Sequence, residues 1–350
     1  MFENKNFRTE LSELGEFGLI NDIAKNVEIK NPSTLKGIGD DAAVIKNENG
    51  KVTILTTDML VEGIHFDLTY CPLKHLGYKS VIVNLSDVYA MNATPKQITV
   101  SIAVSNRFSL EAIEEFYLGI NLACEKYGVD LVGGDTTTSQ LGFVISVTAI
   151  GEANEIEIVY RNGAKANDLI CVSGDLGAAY IGLQLLEREK KVFSENPKIQ
   201  PDLQGQDYIL ERQLKPEARK NIIEKLKELN IKPTSMIDIS DGLSSEILHI
   251  CTDSKVGCNI YENKIPIDFS TQTMAEEFNL NPTTCALSGG EDYELLFTIP
   301  LSDFEKIKSV AEISIIGNII EKSEGINLIT KSGSSIPITA QGWDALLKTN

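Results

Sequence analysis

Residues 73–91 read LKHLGYKSVIVNLSDVYAM, and this stretch decides how the first half of the chain folds. It has the length and apolar spacing of a buried helix, with Pro95 setting its end. Asn84 and Asp87 then stand at i and i+3, on one face. A carboxylate inside an apolar helix loses water without gaining a partner, and apolar residues on both sides of Asp87 make capping a poor explanation. The pattern asks for a metal or another cationic partner beside Asp87. Upstream, the spacing predicts strands over 42–46 and 52–57, separated by the turn-like Asn47-Glu48-Asn49-Gly50. Further upstream, Phe17, Ile20, Ile23, Ala24 and Val27 predict an N-terminal amphipathic helix. Downstream come a strand over 98–104, a helix over 110–127 and a short strand over 129–132. That strand runs into the loop-like Gly133-Gly134-Asp135, and a further strand over 143–150 closes the first half.

The pattern restarts beyond Gly151, so the chain is read as two domains, residues 1–150 and 151–350, as its 350 residues allow. Arg161-Asn162-Gly163-Ala164-Lys165 forms a polar loop before a strand over 169–173. Gly174-Asp175-Leu176-Gly177 then turns the chain into a helix from about Ala178. Residues 187–206 are polar, with Pro197, Pro201 and Gly205, and read as a surface insertion or loop. Helices over 217–229 and 244–252 bracket Asp238-Ile239-Ser240-Asp241. Apolar strands over 286–287 and 295–299 flank Ser288-Gly289-Gly290-Glu291-Asp292. Strands and helices alternate in both halves, which predicts α/β or α+β layering in each.

The net charge of −18 argues against a nucleic-acid or anionic-membrane partner, either of which wants a basic patch. Metal ions can still bridge acidic side chains to anionic phosphates. No apolar run approaches a membrane span, and Met1-Phe2-Glu3-Asn4-Lys5 lacks the pattern of a signal peptide. Cysteines 71, 124, 171, 251, 258 and 285 form no Cys-x-x-Cys pair and read as reduced packing residues of a cytoplasmic protein.

Aspartates recur in five short motifs. Besides Asn84-Leu85-Ser86-Asp87 these are Gly39-Asp40-Asp41, Thr56-Thr57-Asp58, Gly133-Gly134-Asp135-Thr136 and Asp238-Ile239-Ser240-Asp241-Gly242. Each alone has a plain alternative, such as an Asp-rich turn for Asp40-Asp41 or a helix N-cap for Ser240 or Asp241. If they converge, hard cations such as Mg²⁺ make the cluster tolerable. Strand alternation sends Thr57 opposite to Thr56 and Asp58, although backbone carbonyls can also ligate. Gly133-Gly134-Asp135 has the shape of a loop that brings amides to phosphate oxygens, or of an ordinary turn. With 3 histidines in the chain, a His/Cys zinc site is disfavoured, and His65 is either structural or a substrate-phosphate contact. Arg161 is a surface residue or a phosphate ligand, and Trp343 a core anchor or a stacking platform. Neither a phosphate-binding loop with its lysine nor a protein-kinase motif set is present.

Taken in order, Gly37-Ile38-Gly39-Asp40-Asp41, Thr56-Thr57-Asp58 with Gly63 and His65, and Val83-Asn84-Leu85-Ser86-Asp87 resemble the thiamine-monophosphate kinase family. The likeness continues through Val132-Gly133-Gly134-Asp135, Arg161-Asn162-Gly163-Ala164-Lys165, Ile237–Gly242 and Leu287–Glu294, and runs from about Gly15 to Trp343. It implies the fold of aminoimidazole ribonucleotide synthetase. In that fold an N-terminal α/β domain dimerises through its sheet, and a C-terminal α+β domain closes over nucleotide and substrate. By the same resemblance Asp41, Thr56, Thr57, Asp58, Asp87, Asp135, Asp238 and Asp241 match magnesium ligands. Tyr117, Gly134, Asp135, Arg161 and Ser240 match ATP contacts, while His65, Glu291 and Trp343 match substrate contacts. Asp41, Asp58, Asp87, Asp135 and Asp238 would form the catalytic centre, with Asp40 behind Asp41. The implied activity is direct, in-line transfer of the γ-phosphoryl of ATP to thiamine monophosphate in a homodimer, with several Mg²⁺ ions. No phosphorylated enzyme and no catalytic histidine are needed, because the acceptor phosphate is already ionised. Two alternatives are another ATP-dependent synthetase of the same fold and a non-catalytic, metal-dependent nucleotide-binding module. No cysteine precedes Cys71, as a selenophosphate synthetase would require, and the end Lys348-Thr349-Asn350 lacks the cysteine tail of a hydrogenase-maturation relative.

Overall fold

Along residues 51–61, Val52, Ile54, Thr56 and Leu60 alternate with more exposed neighbours, so one side of a strand is buried. The computed structural model describes residues 9–140 and 142–339. The first half runs α1 (Leu11–Lys25), β1 (Thr34–Lys36), β2 (Ala43–Lys46), β3 (Lys51–Val61), α2 (Leu73–Ala90), β4 (Thr94–Val104), α3 (Leu110–Tyr127), β5 (Asp130–Thr138) and β6 (Val144–Asn154). Its strands form one sheet in the order β1-β2-β3-β6-β4-β5. All pairs are antiparallel except β4 with β5. α2 lies against β3, β4, β6 and α3, over a core that includes Phe116 and Phe143, whose rings stand 5.0 Å apart.

The second half contributes β7 (Leu169–Ser173), α4 (Ala178–Glu195), α5 (Asp207–Leu214), α6 (Lys220–Glu228), β8 (Ser235–Asp238), α7 (Leu243–Ser254), β9 (Gly257–Tyr261), α8 (Phe269–Glu277) and α9 (Pro282–Ser288). It ends with β10 (Leu295–Ile299), α10 (Phe304–Ile307), β11 (Ile313–Ile320), β12 (Ile326–Ile329) and β13 (Ser335–Pro337). These strands form a second sheet, β13-β12-β9-β11-β7-β10-β8. β8 at its edge touches α2, so one helix packs on its own sheet and meets the other. This two-sheet, α/β and α+β arrangement is the architecture that the resemblance implied.

Several local expectations need correction. α2 stops at Ala90, where Asn92 takes a left-handed φ of 55°, and Pro95 lies inside β4. β4 begins pairing with β5 only at Gln97, so the proline interrupts no ladder on that side. Gly133-Gly134-Asp135 is strand rather than loop. A Cβ on Gly134 would lie 1.7 Å from the Val100 carbonyl oxygen, so a bare backbone is needed for β5 to pass β4. Residues 187–195 continue α4, because Ile181, Leu185, Leu186 and Glu189 keep its buried face going. Residues 196–206, with both prolines, are irregular. The expected strand over 286–287 belongs to α9, started by Pro282 and by the Asn281 side chain, which accepts from the Thr284 amide at 3.1 Å. α1 forms with a break at Gly15, yet Phe17, Ile20 and Ile23 stay exposed. The six cysteines are free and buried, as expected of packing residues. Among the described residues no helix is long and apolar enough to cross a membrane.

Candidate active site

Three strand or helix ends bring carboxylates to one point. Asp41 precedes β2, Asp87 sits in the last turn of α2 and Asp238 ends β8. One carboxylate oxygen from each lies within 4.8 Å of the other two. Thr56 on β3 donates its hydroxyl to Asp87 Oδ2 at 2.5 Å, and Ser86 donates to Asp238 Oδ2 at 2.6 Å. Arg161 donates to Asp41 Oδ1 through Nε at 2.9 Å and Nη2 at 2.6 Å. Asp40 lies behind, accepting from the backbone amides of Arg161 at 3.1 Å and Asp41 at 3.2 Å, and pairing with Lys36 at 3.3 Å.

Burial dominates the electrostatics. It pushes the Asp41 carboxyl up to about 8; Arg161 opposes that rise, while Asp238 and Asp40 add to it. Asp87 is pushed well above the usual carboxylate range by burial, then by Asp58, Asp238 and Asp41, with Thr56 opposing. Asp58 rises to about 6 from burial and from Asp238. Burial also raises Asp238, against the pull of Ser86 and Arg161. Like charges at this spacing resist ionising together without more positive charge than one guanidinium supplies. Asp41 Oδ2 is buried with no hydrogen-bond partner. Hard carboxylate and hydroxyl oxygens with an orphaned buried lone pair are a donor set that suits Mg²⁺.

The cluster opens into a cleft of 920 Å³ whose lining includes Asp58, His65, Asp87, Asp238, Ser240, Asp241 and Glu291. The loop after α9 forms one wall by extending the β8–β10 ladder. Glu291 N donates to Ser240 O at 2.6 Å, Tyr293 N to Ile239 O at 2.8 Å, and Ile239 N to Glu294 O at 2.8 Å. Gly290 makes the approach possible: its φ is 71°, and a Cβ there would lie 2.6 Å from the Ser240 carbonyl oxygen. His65 accepts at Nδ1 from the Val61 amide at 3.0 Å. Its pKa is lowered chiefly by burial. The bond places Nδ1 on the Val61 amide and leaves Nε2 as the ring's other polar atom.

The expected residues divide into two groups. Asp41, Thr56, Asp58, Asp87, Asp238, Asp241, Arg161, Ser240, His65 and Glu291 line the cleft or bond to the cluster beside it. Thr57 instead turns its hydroxyl away to donate to Val147 O at 3.1 Å. Gly134 and Asp135 are exposed on the edge strand β5, where Asp135 accepts from the Thr136 amide at 2.8 Å. Tyr117 lies on α3, packed against the first core. These last three are not among the residues lining the cleft. Trp343 lies outside the described residues.

Sequence reasoning passed over the basic residues that hold the cleft wall. Lys79 is buried on α2, 2.9 Å from Glu291 Oε1. Arg212 on α5 lies 2.7 Å from Glu294 Oε1 and 3.6 Å from Asp292 Oδ1, and Arg219 also pairs with Glu294. The argument applied to Asp87, a charge inside an apolar helix, would have found Lys79 as well.

Residues 39–153 match the family model described as AIR synthase related protein, N-terminal domain. The thiamine-monophosphate kinase of Buchnera aphidicola subsp. Schizaphis graminum is 38% identical, over 91% of this chain and 94% of that protein. The Bacillus subtilis thiamine-monophosphate kinase is 33% identical, over 95% of this chain and 99% of that one. A solved structure described as AaThiL complexed with AMPPCP and TMP superposes with a TM-score of 0.82 at 34% identity. It covers 97% of this chain and 99% of that one.

Proposed function

The chain belongs to the thiamine-monophosphate kinase family, and from that premise we infer that its cleft binds ATP and thiamine monophosphate and moves the γ-phosphoryl group between them. The products are ADP and thiamine diphosphate. The observation that carries this reading is the convergence of Asp41, Asp87 and Asp238, within 4.8 Å of one another, at the head of the cleft. Incubating the protein with thiamine monophosphate, ATP and Mg²⁺ should yield one thiamine diphosphate per ADP. ADP formed without thiamine diphosphate, or neither product, would count against it.

Asp41, Asp87 and Asp238 are assigned as the core of a Mg²⁺ site, with Thr56, Asp58 and Asp241 as further oxygen donors and the Thr57 carbonyl as another. Asp135 is kept as a ligand and ATP contact from β5, with Gly134 and Tyr117 as nucleotide contacts and Trp343 as a substrate contact. Several Mg²⁺ ions held there would screen the repulsion between two anionic reactants and stabilise charge on the group in transit. Arg161 and Ser240 bind nucleotide, while His65 and Glu291 bind the substrate. His65 is assigned a hydrogen bond to the substrate through Nε2 and no proton transfer. Direct, in-line transfer follows, with rate gained from positioning and charge neutralisation.

The first sheet, residues 1–150 in functional terms, is assigned metal binding and dimerisation, and residues 151–350 closure over the ligands. Exposed Leu55, Met59 and Val132 on that sheet support a homodimer that covers them. Six free, buried thiols suit a reducing cytoplasm.

The raised carboxyl of Asp41 sets a pH-dependent expectation. Its folded value of about 8 exceeds the unfolded one, about 3.9. The metal-free fold therefore binds the extra proton and loses stability as pH rises between those values. Mg²⁺ competes with that proton, so the rise in melting temperature on adding Mg²⁺ should be larger at pH 8 than at pH 6. Equal shifts at both pH values would remove Asp41 from the metal site.

A further inference from the structure

α2 connects the two ends of the cleft. Asp87 belongs to the carboxylate cluster, and Lys79, eight residues earlier and about 12 Å along the axis, meets the loop on the opposite wall. The Lys79 side chain is 3% exposed, with Nζ 2.9 Å from Glu291 Oε1. It also donates to the Gln213 carbonyl oxygen at 3.1 Å. Gln213 Nε2 in turn donates to Glu291 Oε2 at 2.8 Å. Both oxygens of the Glu291 carboxylate are thus held, one by an ammonium and one by an amide. The Glu291 side chain keeps 27% exposure and lines the cleft. A carboxylate has about four lone-pair sites, so capacity remains for a donor arriving in the cleft.

The backbone is held as firmly. Glu291 and Tyr293 carry φ of 58° and 51°, left-handed values that non-glycine residues seldom adopt unless their surroundings impose them. A buried lysine is a poor choice for packing alone, because an apolar side chain of similar length fills such a place at no desolvation cost.

We propose that Lys79 is a positioning residue for substrate recognition. Acting through Glu291, it fixes a carboxylate acceptor for an N–H-bearing cationic heterocycle at a set distance along α2 from the phosphoryl-transfer end. The assignment rests on the reading of the cleft as a thiamine-monophosphate site. It also makes the helix a gauge of substrate length, since one rigid element sets both the heterocycle end and the phosphate end.

The test is a steady-state comparison of wild type, K79M, K79R, E291Q and the K79M/E291Q double variant, with each substrate varied at saturation of the other. K79M should raise KM for thiamine monophosphate about 10- to 100-fold, the loss expected for a charge-assisted contact. KM for ATP and the melting temperature should stay near the wild-type values, and K79R should recover part of the loss. In the E291Q background, K79M should add nothing further. An unchanged KM for thiamine monophosphate in K79M, an equal rise in both KM values, or full additivity in the double variant overturns the assignment. If K79M fails to fold, K79Q, which removes the charge but keeps a polar side chain, takes its place in the same cycle and is judged by the same criteria. A wild type that makes no thiamine diphosphate removes the cleft reading and this assignment together. A wild type that does so leaves the variants to judge Lys79 alone.

Discussion

Asp87→Asn should lower turnover by about 10³-fold, the scale on which a single preorganised electrostatic contact acts in a water-poor site. Asp87 is where the three carboxylates meet the open cleft, and burial with Asp58, Asp238 and Asp41 around it already drives its carboxyl well up. The amide keeps the shape and can still accept from Thr56, but it removes one charge from the metal-binding set. In the metal-free protein that charge is a burden, so the same variant should melt at a higher temperature than wild type when Mg²⁺ is absent. Stability gained where activity is lost marks a functional carboxylate rather than a structural one. Steady-state assay and thermal melting with and without Mg²⁺ check both halves. Near-normal turnover would remove Asp87 from the centre, and a lower metal-free melting temperature would make its role structural.

Arg212→Met should have the largest effect on stability, a loss of about 3–5 kcal/mol, as expected when one partner of a buried ion pair is removed. The Arg212 side chain is 12% exposed and Glu294 is fully buried. Arg212 Nη1 donates to Glu294 Oε1 at 2.7 Å, and Nη2 donates to the carbonyl oxygens of Asp175 at 2.9 Å and Asp292 at 3.3 Å. Without it, Asp292 and Glu294 face each other with Arg219 alone as counter-charge. Asp292, already raised to about 7 chiefly by burial, would be driven further toward its neutral form. Urea unfolding of the two proteins gives the difference directly. A change under about 1 kcal/mol would mean that water reaches the network and screens it.

Much of this was legible because the strongest signals were local. An 18-residue apolar helix at Leu73–Ala90 and another at Leu110–Tyr127 carry their period over many turns, and both form. The two sheets follow from the strands between helices. Short elements with mixed signals were misread for identifiable reasons. Two glycines before Asp135 look like a loop, but Gly134 is bare so that β5 can pass the Val100 carbonyl. Ala286 and Leu287 look like a strand when the helix start at Asn281-Pro282 is overlooked.

In the site, Asp41, Asp87 and Asp238 could be nominated singly but not joined by pattern alone. Their meeting depends on packing such as the Ser86–Asp238 contact, which spans 152 positions. The ordered family motifs supplied that link. Lys79 was open to the same argument as Asp87, whereas Gln213 and Arg212 stayed hidden because each looked like an ordinary polar residue of a helix, and only burial shows that their charges or amides must be matched.

Rapid-quench single turnover with ATP labelled at the γ-phosphate tests the central claim most directly. With enzyme in excess over labelled ATP, and thiamine monophosphate and Mg²⁺ present, label should pass to thiamine diphosphate in one phase, with none trapped on the protein. Label on the protein before product, or label released only as inorganic phosphate, would contradict direct transfer across the Asp41–Asp87–Asp238 cluster.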